Sequence, residues 1–211
     1  MDCCQGIETC FDTAKAEDEL QNYRRHGPAK ATRWLIDALK AQGIAGATLL
    51  DIGGGVGAIQ HELLRVGAAS AVDVDASRAY LGAAQQEAAR QGHADRVTYR
   101  YGDFVQLADT IAPADIVTLD RVICCYPDMP ALVSASAARA RRLYGLVFPR
   151  DVWWMRVLIR PVMDATTQLR GSPLRFFVHS ARAVDALVRA SGLTLVFQRH
   201  SLFWSVAVYA R

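Results

Sequence analysis

The stretch LLDIGGGVGA (49–58) decides the fold. A short apolar run, ATLLDIG (47–53), ends in glycines, as a buried strand does where it leaves a sheet. Helical spacing follows in AIQHELLRV (58–66). Gly53, Gly55 and Gly57 therefore stand between a strand and a helix, where the chain must turn tightly and admit a ligand close to its backbone. The start of the following helix offers free N–H groups and the positive end of a dipole.

The alternation continues outward. SAVDV (70–74), RVTYRY (96–101), DIVTLD (115–120) and RRLYGLVFP (141–149) read as strands. SRAYLGAAQQEAARQG (77–92) and MPALVSASAARA (129–140) read as helices. Parallel neighbours need crossover helices, so this is a doubly wound, Rossmann-like α/β sheet. After a helix at 180–191, LTLVFQRH (193–200) and SLFWSVAVYAR (201–211) have almost no connector between them and must pair antiparallel. Residues 11–42 read as two helices broken near Gly27 and Pro28. The expected division is an N-terminal helical lid over 1–46 and a domain over 47–211, with an Arg- and Trp-bearing, mostly helical insertion at 150–178.

Composition narrows the class. With 211 residues, 52% apolar and 21% charged, the chain can bury a core, and disorder is excluded. No run approaches the ~18 apolar residues of a membrane span, and MDCCQGIETC has no apolar signal region. Five cysteines without scaffold spacing point to the reducing cytoplasm. Residues 1–120 carry 11 Lys+Arg against 17 Asp+Glu; residues 121–211 carry 13, all Arg, against 4. That cationic half could attract an anionic small molecule, an anionic membrane surface or nucleic acid.

Gly53, Gly55 and Ala58 also satisfy the relaxed dinucleotide fingerprint, so a nicotinamide oxidoreductase is one reading. Three features favour S-adenosylmethionine (SAM). Asp51 would repel a pyrophosphate and attract the ammonium of SAM. Asp75 closes the second strand, where an acid can accept both ribose hydroxyls; Asp73 competes for that role. The sheet closes in an antiparallel hairpin.

These residues resemble the class I SAM-dependent methyltransferases over about 47–211. The resemblance implies a seven-stranded sheet with the last strand antiparallel. It implies that Asp51, Gly53 and Gly55 line the methionine and ribose portion, with Gly57 completing the loop. Asp75 would hold the ribose and Ala76 would lie beside the adenine. Asp103 and Phe104, in YGDF, would meet the adenine amino group and ring, and Asp120 the methionine part. The product would be S-adenosylhomocysteine (SAH).

DRVICCYPD (120–128), RFFVHSARAVDALVRASGL (175–193) and the aromatic close of the chain resemble a narrower group, the magnesium-protoporphyrin IX O-methyltransferases. The shared pattern LD-x-x-I-x-x-YP falls on Asp120, Ile123, Tyr126 and Pro127, with His179 before the last helix and Tyr23, Arg24 and Arg25 near the N-terminus. Where that group has His before Tyr-Pro, this chain has Cys125. The likeness implies methylation at oxygen of a small, anionic acceptor such as a porphyrin carboxylate. Tyr126 and His179 would assist, and Tyr23, Arg24, Cys125 and Trp153 would contact the acceptor.

A rival reading sends the methyl to sulfur or a metalloid, with Cys3, Cys4, Cys10, Cys124 and Cys125 converging on the site. A non-catalytic SAM-binding module is a third. No spacing calls for a metal. A nucleic-acid acceptor is disfavoured by scarce Lys and the missing NPPY-type motif. His61 is expected to face solvent. The oligomeric state is not encoded in any pattern found.

Overall fold

The structure is a computed structural model that describes residues 3–169 and 175–211, with backbone alone at 3–5, 167 and 169. Two helices, α1 (Cys3–Cys10) and α2 (Thr13–His26), precede α3 (Lys30–Lys40). Strand and helix then alternate through β1 (Thr48–Ile52), α4 (Ala58–Arg65), β2 (Ser70–Asp75), α5 (Arg78–Gln91), β3 (Val97–Tyr101), α6 (Phe104–Leu107), β4 (Ala114–Asp120), α7 (Met129–Ala138) and β5 (Ala140–Pro149). A π-helical turn (Met155–Ile159) leads into α8 (Arg160–Leu169). After it come α9 (Ala181–Ala190), β6 (Thr194–His200) and β7 (Trp204–Ala210). The seven strands lie in the order β3-β2-β1-β4-β5-β7-β6. β1 to β5 pair in parallel, and β7 inserts antiparallel between β5 and β6. The expected sheet and its closing hairpin are present.

Local chemistry sets the helix limits. Ser77 caps α5 by accepting from Tyr80 N, and Gly92, at φ 73°, ends it in the left-handed region. Asp12, Asp128 and Ser180 cap α2, α7 and α9 in the same way. Alternate strand residues feed two cores, as a sheet covered on both faces requires. Leu50, Ile52, Val117, Leu119 and Leu146 pack with Leu132 and Val133 of α7 and Val184 and Val188 of α9. Leu49, Ile116, Leu143, Val147 and Val208 pack on the other face with Leu35, Ile36 and Leu39 of α3 and Leu63 of α4. Thus α3 is a sheet helix, and the N-terminal cover over the strand ends comes from α1 and α2.

α2 is fastened to α5. Ala16, Leu20 and Tyr23 pack with Val56 and Tyr80. Beneath them the carboxylate of Glu87, fully buried, accepts from Arg24 Nε (2.8 Å), Arg90 Nε (2.9 Å) and Gln91 Nε2 (2.7 Å). Those donors hold Glu87 down at about 2 against the opposing effect of burial. Arg24 and Tyr23 are therefore spent on this interface. The Tyr23 ring stacks on His61 (6.3 Å between centroids), and its hydroxyl faces Gln91 at 3.5 Å.

His61 does not face solvent. It is fully buried between Tyr23 and His93, because α2 and the end of α5 close over that side of α4. Burial pushes its pKa down from 6.5 to about 4, aided by His93 and Arg90 and opposed by Glu87. The unfolded chain binds this proton below 6.5 and the folded chain refuses it until about 4. Stability is therefore full above that window and falls as pH drops through it. His61→Gln is expected to lessen the loss of melting temperature between pH 7 and 4.5, corresponding to about 1 kcal/mol per pH unit at most. Equal losses in both proteins would contradict this assignment.

Candidate active site

The glycine turn sits on a row of polar side chains that crosses the sheet. Asp73, Asp51 and Thr118 are register partners on β2, β1 and β4, so they share one face. Thr118 Oγ1 donates to Asp51 Oδ1 at 2.6 Å. Asp51 Oδ2, both Asp73 oxygens and the Gln60 amide are buried without a hydrogen-bond partner. Burial lifts Asp51 to about 7 and Asp73 well above the carboxylate range, where the Asp51 and Asp75 charges add to the effect.

Gly54 rests directly on this row. A Cβ there would stand 2.6 Å from Asp73 Oδ1, 2.6 Å from Gln60 Nε2 and 3.0 Å from Asp51 Oδ2. Gly53 (φ 64°) is pressed from the other side, and its Cβ would meet Val122 Cγ2 at 2.5 Å. Gly53 N donates to Val74 O at 2.7 Å, carrying the strand ladder into the turn. Gly57, also left-handed, caps α4 and lies outside the cavity lining.

Asp75 joins the turn to the next crossover. Its Oδ2 accepts from Gly55 N (3.2 Å) and its Oδ1 from Ser77 N (2.8 Å). Burial raises its pKa to about 6 despite those donors.

A cavity of about 420 Å³ opens over these strand ends. Asp51, Gly53, Gly54, Gly55, Asp75, Ala76, Asp103, Phe104, Asp120, Cys125 and Tyr126 line it. Asp73 lies beneath the turn, outside the lining. α1 and α2 contribute Ile7, Cys10, Lys15 and Glu19, and α8 and the segment after it contribute Met163, Thr166, Arg175 and Phe176. The side chains of Cys3 and Cys4 lie outside those described.

The loop after β4 forms the far wall. Arg121 takes a left-handed conformation (φ 61°), and its Nε pairs with Asp120 Oδ1 at 3.1 Å. Asp120 Oδ2 also accepts from Thr32 Oγ1 of α3 at 2.6 Å. Tyr126 Oη donates to Asp103 Oδ2 at 3.0 Å, while Asp103 caps α6 through Val105 N. Cys124 Sγ and Cys125 Sγ are 3.8 Å apart. The Cys124 thiol, with Lys15 and Arg121, holds Cys125 below its ordinary value.

Besides Tyr23 and Arg24, two expected contacts stand elsewhere. His179 is outside the lining; its Nε2 lies 3.1 Å from Tyr126 O, so it donates there, and its ring stacks on Phe177 (5.5 Å). Phe177 N in turn donates to Cys124 O at 2.7 Å. The 175–180 segment thus pins the 121–126 loop and keeps His179 from the reacting space. Trp153 is 71% exposed. Trp154 packs edge-on against Phe203, so neither indole lines the cavity. Gly54, Lys15, Glu19 and Arg175 were not singled out from sequence. Only the adjacency of Gly54 to two chosen glycines could have drawn attention to it.

Residues 49–143 match the family model described as a methyltransferase domain. Among solved structures, the chain is similar to magnesium protoporphyrin IX methyltransferase from Synechocystis with bound SAH: 21% identity, 86% of this chain and 82% of that one, TM-score 0.71. A putative sarcosine dimethylglycine methyltransferase from Galdieria sulphuraria shares 16% identity over 86% and 85% of the chains, TM-score 0.68. An O-methyltransferase family 2 protein from Planctomyces limnophilus in complex with apigenin shares 18% identity over 88% and 62%, TM-score 0.60. No curated protein matches. The chain has the fold of these SAM-dependent methyltransferases, and the match to a methyltransferase domain over residues 49–143 supports an enzyme of that kind.

Gly54→Ala is expected to cost about 1–3 kcal/mol, because the neighbours of the new methyl are themselves buried. A chemical-denaturation midpoint equal to the parent protein's would contradict this.

Proposed function

We propose that this chain transfers a methyl group from SAM to an oxygen of a small anionic acceptor, a carboxylate in the leading case, and releases SAH. The observation that carries the reading is the distribution of charge in one cavity. The acids Asp51, Asp75, Asp103 and Asp120 lie at or just after strand ends, with Glu19 on α2; the cations Lys15 and Arg175 come from the elements that cover the cavity, and Arg121 is paired with Asp120. Carboxylates suit a cationic nucleoside, and guanidinium groups suit an anion.

The residues present fit SAM. Asp51 lines the cavity and brings a carboxyl group to its floor, which suits an ammonium group. One Asp75 oxygen accepts from Gly55 N and the other from Ser77 N, and each has capacity for a ribose hydroxyl. Phe104 and Ala76 would flank the adenine, with Asp103 near its amino group. Gly53 and Gly55 would let the backbone approach, Asp120 would serve the methionine end, and Gly57 would act only through the α4 cap. When bound, SAM supplies an already activated methyl group. The chain's task is then alignment and exclusion of water. A carboxylate nucleophile needs no base. Tyr126, its hydroxyl committed to Asp103, would border it with its ring and hold the loop in place, and Cys125 would border it as well. His179 acts on Tyr126 through the backbone and is a positioning residue. Tyr23, Arg24 and Trp153 have no part in this reading. A porphyrin carboxylate is its most specific version, a small molecule and no nucleic acid its broadest. The reducing cytoplasm would suit the adjacent free thiols.

A second reading, methylation of a thiol or metalloid, is favoured by one observation. Cys10, Cys124 and Cys125 all border the cavity. An acceptor panel separates the two. Cys124→Ala with Cys125→Ser would abolish a metalloid product and leave a carboxylate ester product.

SAM at a hundred times its dissociation constant is expected to stabilise the protein by about 2.7 kcal/mol, and Asp75→Ala is expected to lose most of that response. Because burial raises Asp51 to about 7 and Asp75 to about 6, SAM affinity should fall as pH drops below about 7 and further below about 6. A normal response in the variant would overturn the ribose assignment. With a carboxylate acceptor, Tyr126→Phe should lower kcat/KM about tenfold, the value of the one hydrogen bond to Asp103 that holds the loop. A loss on the order of a thousandfold would indicate base catalysis and a phenol-like acceptor.

A further inference from the structure

Two thiols meet in the wall of the cavity, and methyl transfer to an oxygen consumes neither. Cys124 Sγ and Cys125 Sγ are 3.8 Å apart, in contact and unbonded, on the 3₁₀ turn Ile123–Cys125. Their surroundings differ. Cys125 is half-buried and lines the cavity with Lys15 and Arg121, so a small solute that enters can reach it. Cys124 borders the same cavity but is only 2% exposed, and its thiol donates to Arg121 O at 3.1 Å. Contact with the Cys124 thiol, aided by Lys15 and Arg121, favours thiolate at Cys125, whereas contact with Cys125 and burial push Cys124 up. An accessible thiolate backed by a sheltered thiol is the arrangement of an attacking and a resolving cysteine.

The turn that carries the pair is tied down. Cys125 N donates to Val122 O at 2.9 Å, Phe177 N to Cys124 O at 2.7 Å, and His179 Nε2 to Tyr126 O at 3.1 Å. Neighbouring Cα atoms stand about 3.8 Å apart, whereas disulfide-bonded residues usually stand about 4.4 Å or more apart. Joining these two sulfurs therefore twists the turn, between the ties that hold Tyr126 and the acceptor wall in place.

We propose that Cys124 and Cys125 are an oxidisable pair: a hydroperoxide entering the cavity oxidises Cys125, Cys124 resolves it to a disulfide, and the distorted wall stops methyl transfer until a dithiol reduces it. The Cys125 thiolate attacks one peroxide oxygen. The S–O bond forms, the O–O bond breaks, and the other oxygen leaves as water or an alcohol after taking a proton from solvent. Sulfur is oxidised and the peroxide oxygen reduced. The Cys124 sulfur then attacks the sulfenic sulfur of Cys125. The S–S bond forms, the S–O bond breaks, and the hydroxyl leaves as water with the Cys124 proton. Only the loss of methyl transfer rests on the proposed function. The thiol chemistry needs neither SAM nor acceptor, so it can fail while methyl transfer stands.

The test is treatment of the reduced full chain with hydrogen peroxide, followed by mapping of the tryptic peptide 122–139, whose cysteines are Cys124 and Cys125 alone. The peptide is expected to become lighter by two hydrogens, and dithiothreitol should restore its mass. Dimedone present from the start should label Cys125 at least about ten times faster than Cys10 and leave Cys124 unlabelled. Cys124→Ser should hold Cys125 as a dimedone-reactive sulfenic acid and form no disulfide. Should that variant misfold, dimedone labelling of the parent protein decides. The oxidised parent protein should lose methyl transfer on the order of a hundredfold relative to its own untreated rate, and dithiothreitol should return it. An unaltered peptide, label on Cys124 in place of Cys125, or a disulfide from Cys125 to Cys10 would overturn the proposal. So would a Cys124–Cys125 disulfide that leaves methyl transfer unchanged.

Discussion

Two carboxyl groups and an amide buried under a glycine turn are the constraint on which the site depends. Asp51 and Asp73 lie side by side across β1 and β2 and meet no cation there. Two adjacent carboxylates in a dry sheet repel one another too strongly for both to be ionised. Asp73, with both oxygens buried, is the one whose pKa burial pushes up further. Asp51 borders the cavity and keeps one oxygen for whatever enters. The turn lies low enough to cover this row only because Gly54 has no Cβ. A site so arranged presents fixed carboxyl groups to whatever enters.

The rest of the cavity is held by ties between segments far apart in the chain. Asp75 joins the glycine turn to α5 through both of its oxygens. Tyr126 joins the loop after β4 to Asp103 after β3. Phe177 and His179 fasten the backbone of that same loop, and Glu87 fastens α2 through Arg24. Each tie is a charged or polar group whose partners are supplied by another crossover. A buried group of this kind is costly to leave unpaired, so the ties act together to fix the walls. This explains why an arginine and a histidine expected to touch the acceptor are found positioning helices and loops.

Much of the architecture was legible because its signals are local. Strand alternation, Gly92 and Gly27 at helix ends, and the short connection between the last two strands require only neighbours in sequence, and each element stands where those signals put it. The cavity-lining acids were legible for the same reason, since Asp51, Asp75, Asp103 and Asp120 all sit at the ends of strands that converge in a parallel sheet. Which side chains face one another across segments was not legible. Tyr23, Arg24, His61 and Trp153 each carry a residue type apt for a ligand, but helix packing directs the first three into the α2–α4–α5 interface and leaves the fourth in solvent. The sequence by itself determined the sheet, the turn and the acids at its edge, because these follow from backbone periodicity and the freedom of glycine. Only the tertiary structure decided which polar groups are spent on one another and which remain open to a ligand, because burial and pairing are properties of distances between residues that the chain order does not contain.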